Sequence, residues 1–125
     1  GSDVALIATG LMVSEALKAA ESLRAEGIHA RVINLCSIKP LDEELVLKAA
    51  RECRKVVTCE EHSIIGGLGE AVAALLGEKC PTIMRRVGVQ DAFGHSGPAW
   101  DVLKQFGLCA ESIVDTARNL VKETI

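Results

Sequence analysis

Short apolar segments that alternate with helical stripes of apolar residues constrain the fold of this chain more than any other feature of its sequence. The first segment, residues 4–8 (VALIA), is apolar without interruption and is followed by Thr9-Gly10. A run of this kind is typical of a strand that is buried on both faces of a sheet. Behind it, apolar residues recur at helical spacing as far as Gly27, where a left-handed glycine cap would end a helix. The chain therefore opens with a strand and a helix that covers it.

The same alternation continues to the end of the sequence. Strands are predicted at residues 28–35, 55–59 and 82–87, with helices between them, and two short amphipathic helices are predicted after Pro98. Strands that alternate with helices in this way imply right-handed crossovers and a parallel sheet covered on both faces. We therefore predict an α/β fold, a three-layer α/β/α sandwich whose mainly parallel sheet has four to five strands. The four clear strands are predicted to take the order 2-1-3-4.

The composition supports a single domain. Apolar residues make up 49% of the 125 residues but aromatic residues only 2%, so the core must be built from Ala, Val, Leu and Ile. No linker, internal repeat or low-complexity tract divides the chain, and residues 3–125 are predicted to form one domain. Gly1-Ser2 stands directly ahead of the first strand and is predicted to be a remnant of cloning.

Charge and cysteine usage exclude several classes of partner and site. The net charge of -3 comes from interspersed acids and bases, so there is no basic field of the kind that binds nucleic acid. No apolar run approaches the roughly 20 residues that a membrane span requires. The five cysteines are odd in number and form no C-x-x-C pair, which argues against a zinc knuckle or a disulfide framework. We expect a cytoplasmic protein with reduced thiols and no metal site.

Residues 59–70 (CEEHSIIGGLGE) join acidic residues and a histidine to a glycine-rich step into the third helix. In this step, which we call the glycine junction, Gly66, Gly67 and Gly69 could aim backbone amides at an anion. The match is neither G-x-G-x-x-G nor a P-loop. A tight turn with close packing of helix on sheet is therefore the favoured interpretation. An anion or regulatory ligand site formed by these glycines and His62 is the alternative.

The polar residues just ahead of this junction lie at the carboxyl end of a predicted parallel strand, the edge where open α/β sheets place ligands. Glu60 and Glu61 should point to opposite faces of the sheet, so they do not form one carboxylate pair. His62 has no visible nucleophile or metal shell beside it. We therefore predict a structural or interface role for Glu60, Glu61 and His62, with Glu60 and Glu61 as the interface candidates, and we assign no catalytic residue.

A second polar cluster, residues 91–98 (DAFGHSGP), contains Asp, His and Ser close together. Catalytic triads are assembled from separated segments, and this loop lacks the G-x-S-x-G elbow that exposes a serine nucleophile. We predict an interface role for His95. Trp100, the single tryptophan, carries a large apolar area and is predicted either to pack in the core or to anchor a partner surface; core packing is the favoured interpretation.

Four segments, in order, give the chain a resemblance to a known family. They are Ala8-Thr9-Gly10, residues 38–42 (IKPLD), Glu60-Glu61-His62 with residues 66–70 (GGLGE), and residues 93–97 (FGHSG). From Asp3 to its end the chain resembles the C-terminal domain of transketolase, a thiamine diphosphate-dependent enzyme. The first three segments occur in looser form in 1-deoxyxylulose-5-phosphate synthase and in the beta subunits of 2-oxo acid dehydrogenases.

The resemblance implies a parent enzyme of the pentose phosphate pathway that moves a two-carbon ketol unit between sugar phosphates. That enzyme uses thiamine diphosphate and a divalent metal such as Mg, held by two preceding domains across a homodimer interface. The Gly-Asp-Gly motif of those domains does not occur in this sequence, so we expect this piece to bind no cofactor. The implied partner is the upstream thiamine-binding domains or a separate N-terminal subunit.

The domain itself is expected to organise the dimer, to offer a regulatory ligand site, and to be inactive alone. Two alternatives stay open. The parent enzyme is the synthase or the dehydrogenase named above, or the chain is a free-standing module that binds an anionic metabolite.

Overall fold

The computed structural model describes residues 3–10, 12–35, 42–61, 67–89 and 99–123, with side chains omitted at 61, 88–89 and 99–109. Strands and helices alternate along the whole of this range. Their order is β1 (Val4–Ala8), α1 (Met12–Ala25), β2 (Ala30–Asn34), α2 (Glu43–Cys53), β3 (Lys55–Glu61), α3 (Leu68–Lys79), β4 (Ile83–Val89) and α4 (Ala99–Lys122). Among these described helices, none is long and apolar enough to cross a membrane.

The four strands form one parallel sheet in the order β2-β1-β3-β4. Strand β1 lies at the centre, where Leu6 is level with Val32 of β2 and Val57 of β3. Each connection between parallel strands passes through a helix, which is the topology that the alternating pattern predicts. The predicted fold class, sheet type and strand order are confirmed.

Helices cover both faces of the sheet. One face, which includes Leu6 and Val57, packs with the buried residues of α1 and α4. The other face, which includes Ile7 and Val56, packs with α2 and α3. Because all five residues of β1 are buried, its uninterrupted apolar sequence is explained by helices on both sides.

Local signals set several helix ends. Asp42 stands directly ahead of the second helical stripe, which predicts it as the N-cap of that helix. Its carboxylate accepts a hydrogen bond from the Leu45 amide at 3.2 Å and so caps α2. Gly27 follows α1 with a φ of 81°, the left-handed conformation expected there. At the end of α2 the same conformation is taken by Arg54, with a φ of 65°, where a glycine would carry no steric penalty.

Two boundaries differ from prediction. The last two helices are one 24-residue helix, α4, which runs through Gly107. A single internal glycine costs about 1 kcal/mol relative to alanine, and the helical hydrogen bonds and good helix formers around it outweigh that cost. Likewise, Gly77 predicts the end of the third helix, but α3 passes Gly77 and ends at Lys79. An internal glycine lowers helix propensity without ending a helix.

Candidate functional site

Glu60 lies at the carboxyl edge of the sheet and reaches into the start of α3. Its Oε2 accepts hydrogen bonds from the backbone amides of Leu68, at 2.9 Å, and Gly69, at 3.1 Å. The residue is only 1% exposed. A buried carboxylate is stable in such a place because it meets hydrogen-bond donors and the positive end of the helix dipole.

The sequence requires this contact because α3 has no cap of its own. Its N-cap position is Gly67, which has no side chain and forms no side-chain cap bond. The first amides of a helix have no partner within the helix and need an acceptor from elsewhere. Glu60, eight residues before Leu68, supplies that acceptor from the neighbouring strand.

Gly69 leaves room for a close approach of Arg86. A Cβ atom at position 69 would lie 2.9 Å from Cδ and 3.1 Å from Nε of the Arg86 side chain, which crosses the first turn of α3 from β4. Real Cβ atoms essentially never come closer than 3.0 Å to another heavy atom. The close packing favoured for the glycine junction is therefore present at Gly69. Gly67, with a φ of -82°, occupies a conformation open to any residue.

This geometry bears on the anion site predicted at the glycine junction. Of the three glycine amides named for such a site, that of Gly69 already donates to Glu60, as does the neighbouring Leu68 amide. An anion bound at those amides would have to displace an internal carboxylate of the same charge sign. The described part of the junction therefore does not fit the diphosphate of thiamine diphosphate. Gly66 and His62 lie outside the described residues, so the proposed site as a whole stays a prediction.

The residues predicted to form an interface are only partly described. Glu60 is buried, and its hydrogen bonds to α3 are internal to the chain. Glu61 is the last residue of β3, and Trp100 lies in the first turn of α4, both placed by backbone alone. His95 lies outside the described residues. Contact of these residues with a partner stays a prediction.

Thiol and metal chemistry find no support in the described part of the chain. No group of three or more His, Cys, Asp or Glu side chains lies close enough there to hold a metal ion. Cys53 and Cys59 are buried, and burial raises the pKa of the Cys53 thiol. A raised thiol pKa disfavours the reactive thiolate.

A buried carboxylate on α1 was missed by sequence reasoning. Glu15 is 1% exposed, and its Oε2 lies 3.0 Å from Nζ of Lys18, one turn along the helix. The sequence carries a signal for this burial, because Glu15 lies three residues after Met12 and four before Ala19, both buried. Glu15 therefore belongs to the inward stripe of α1.

This chain is similar to known proteins over most of its length. The family model described as the transketolase C-terminal domain matches residues 1–113. The 6-deoxy-6-sulfo-D-fructose transketolase subunit SqwH of Clostridium sp. (strain MSTE9) is 50% identical over 98% of this chain, which spans 38% of that relative. The 1-deoxy-D-xylulose-5-phosphate synthase of Heliobacterium modesticaldum (strain ATCC 51547 / Ice1) is 43% identical over 96% of this chain, which spans 19% of the synthase.

A solved structure agrees with these relatives. A split-gene transketolase, described as an inactive beta4 tetramer, superimposes on 97% of this chain with a TM-score of 0.84 and 47% identity. This chain covers 40% of that protein. The match spans both the sheet and the covering helices, so it extends over the whole architecture described above. The chain therefore belongs to the transketolase C-terminal domain family.

Proposed function

We propose that this chain is the C-terminal domain of a thiamine diphosphate-dependent transketolase that transfers a two-carbon ketol unit between sugar phosphates. In this role it organises the assembly of the enzyme and is catalytically silent by itself. The observation that carries the proposal is the 50% identity to a transketolase subunit over 98% of this chain. This chain spans 38% of the length of that subunit. The chemistry is then assigned to the remaining length of such an enzyme.

The arrangement at the glycine junction supports a silent domain. Helix α3 directs its first amides at Glu60, so they are not available to a diphosphate group. Thiamine diphosphate and its divalent metal, such as Mg, are therefore assigned to other domains of the parent enzyme. The similar split-gene transketolase is described as inactive in its beta4 form, which agrees with this division of labour.

The proposed partner is the thiamine-binding part of the enzyme, either upstream in the same polypeptide or as a separate N-terminal subunit, within a homodimer in the cytoplasm. Glu61, His95 and Trp100 are the residues proposed for this interface. Relatives described as subunits support a divided enzyme. A regulatory role for the domain rests on the family resemblance and is proposed with it.

Reconstitution tests the proposal. The 125-residue chain is incubated with thiamine diphosphate, magnesium, and donor and acceptor sugar phosphates, alone and mixed with the thiamine-binding domains of the parent enzyme. We expect no turnover from the chain alone and a higher rate when it is added to those domains, with heat-denatured chain as the control. Turnover by the chain alone, or an unchanged rate in the mixture, would refute the proposal.

The second candidate is the C-terminal domain of 1-deoxyxylulose-5-phosphate synthase. It is favoured by the synthase relative that is 43% identical over 96% of this chain. The same reconstituted mixture separates the candidates, because the synthase would release 1-deoxyxylulose 5-phosphate and support no ketol transfer between sugar phosphates.

A further inference from the structure

A cavity of about 720 Å³ opens at the amino edge of the sheet, where β3 and β4 begin. It is bounded by the last residues of α2 and α4 and by the turn from α3 into β4. We call it the amino-edge cavity. It lies at the opposite edge of the sheet from the glycine junction. Its volume is within the range of roughly 300–1,000 Å³ that small-molecule sites occupy.

Among the described residues, most of the charged side chains that line this cavity are basic. They include Arg51, Arg54, Lys55 and Lys122, against the single carboxylate of Glu123. That carboxylate is already paired, since both of its oxygens accept from Nη2 of Arg85, at 2.9 and 3.0 Å. The Lys55 ammonium group is also occupied, because it donates to the backbone carbonyls of Val121 and Glu123 at 2.8 and 3.2 Å.

Three cations remain around the cavity. Within the described part of the chain, the side chains of Arg51, Arg54 and Lys122 form no hydrogen bond and no ion pair within 4 Å. Glu52 interacts electrostatically with Arg51, and Glu26 with Lys122. The hydrogen bonds of these two carboxylates are made to Arg31 and Arg118.

The negative ends of the neighbouring helices offset only part of this positive charge. The C-terminus of a helix carries about half a negative charge, which favours nearby cations. The ends of α2, α3 and α4 all border the cavity. Their sum is about one and a half negative charges, which the three cations exceed. The cavity therefore keeps a net positive charge that an anion can neutralise.

Backbone conformation gives a second, independent observation. Arg54 ends α2 in the left-handed conformation, with a φ of 65°, whereas Gly27 takes that conformation after α1. A glycine avoids the steric cost that an L-residue meets there. At Arg54 the chain accepts that cost and places a guanidinium group on the cavity wall. Strained residues of this kind cluster at ligand sites.

We propose that the amino-edge cavity binds a small phosphorylated metabolite through Arg51, Arg54 and Lys122. A guanidinium group matches a phosphate in geometry and donates two parallel hydrogen bonds to it, while an ammonium group adds a point charge. The site is separate from the glycine junction, and it does not depend on whether the domain belongs to a transketolase or a synthase.

Titration of the 125-residue chain with inorganic pyrophosphate tests this site. Calorimetry at constant ionic strength should show saturable binding, and Arg54→Gly and Arg51→Ala should each weaken it at least tenfold. Arg54→Gly should also leave the melting temperature unchanged or raise it, because glycine relieves the left-handed backbone. Lys48→Ala is the matched control, since it removes an exposed cation of α2 that does not line the cavity.

Two results would overturn the proposal. One is the absence of saturable heat with pyrophosphate in the unaltered chain. The other is equal affinity in Arg54→Gly, Arg51→Ala and Lys48→Ala, which would mean that general surface charge attracts the anion. Lys122→Ala provides a further cavity variant if either arginine substitution impairs folding, and it should also weaken binding. None of these measurements requires ketol transfer, so their outcome is independent of the test by reconstitution.

Discussion

Glu60 shows how one side chain can decide the character of a whole strand-to-helix junction. Carboxylates, a histidine and glycines at the carboxyl edge of a sheet are the usual materials of an active site. Here the buried carboxylate serves the fold, since it accepts from the Leu68 and Gly69 amides that Gly67 cannot cap. The residue types are those of a catalytic site, but the hydrogen bonds are those of a helix cap.

Replacement of Glu60 by alanine should therefore be costly. Glu60→Ala removes the acceptor of two backbone amides and should lower the free energy of unfolding by about 2–4 kcal/mol, because unpaired buried donors lose their full hydration. Urea denaturation followed by circular dichroism measures this loss. Glu44→Ala, in the exposed first turn of α2, is the control and should change stability by less than about 0.5 kcal/mol. Equal stability of the two variants would contradict the capping role.

The contact between Gly69 and Arg86 predicts a coupling between two substitutions. Gly69→Ala should stabilise an Arg86→Ala protein by about 0.5–1 kcal/mol, because alanine is the better helix former. With Arg86 present, the new methyl group meets the arginine stem at 2.9 Å, so the gain should shrink or reverse. A double-mutant cycle in urea measures the difference. Gly77→Ala has open space around its Cβ and should stabilise both backgrounds equally. If Gly69→Ala raises the free energy of unfolding equally with and without Arg86, this packing is contradicted.

An ion pair joins the turn that follows α1 to helix α4. Arg118 donates from Nε and Nη2 to the two carboxylate oxygens of Glu26, each at 2.6 Å, and from Nη1 to Asp115 at 2.9 Å. The hydrogen bond from Arg118 lowers the pKa of Glu26 below its ordinary value of 4.5. The pair links residues 92 positions apart in the sequence.

This ion pair should stabilise the fold at neutral pH and not in acid. Because the pKa of Glu26 is lower in the folded chain, its contribution is complete above about pH 4.5 and is lost as the pH falls through the lowered value. The urea midpoint of Glu26→Gln should therefore fall below that of the wild type at pH 7, and the gap should narrow as the pH falls below 4.5 and through the lowered pKa of Glu26. Glu21→Gln, at an exposed position of α1, is the control. A gap that persists in acid would mean that packing, not charge, explains the effect.

Helix α4 also shows the limit of local patterns at this scale. Gly107 interrupts the apolar stripe, so the sequence favours two short helices, yet one helix of 24 residues covers the sheet. Its second half packs against α1 through Ile113, Ala117 and Leu120. Packing on a continuous surface rewards an unbroken helix, and the propensity of one glycine is too weak to oppose it.

At the scale of the whole molecule, the central strand ties two apolar cores into one cooperative unit. Leu6 and Ile7 are adjacent and fully buried, but Leu6 packs with α1 and α4 while Ile7 packs with α2 and α3. Neither core is complete without β1. The two faces of the sheet should therefore lose stability together.

Leu6→Ala and Ile7→Ala test this cooperativity. Each should cost about 2–5 kcal/mol through lost burial and a residual cavity. Each should also preserve a single transition with an unchanged denaturant slope when circular dichroism and amide hydrogen exchange are compared. Leu17→Ala, at a side chain that is 53% exposed, should stay within about 0.5 kcal/mol of the wild type. A second transition in either core variant would show that the two faces unfold separately.

The layers and the strand order of this protein can be predicted from local patterns in its sequence. The apolar run at residues 4–8 and the apolar stripes that follow it are patterns of neighbouring residues. Short crossovers between parallel strands then leave few possible orders for four strands. The N-cap at Asp42 and the left-handed turn at Gly27 were readable for the same reason. Each depends on contacts within a few residues.

The residues that come together at the candidate sites can be identified only from the tertiary structure. Glu60 caps α3 from another element, Arg86 crosses Gly69 from a neighbouring strand, and the amino-edge cavity brings Arg51 and Arg54 beside Lys122. The partners in these contacts belong to different elements, and no local pattern in the sequence predicts which of them will meet. Their roles depend on the packing of helices across the sheet, because only that packing determines which donors, acceptors and charges lie next to each other.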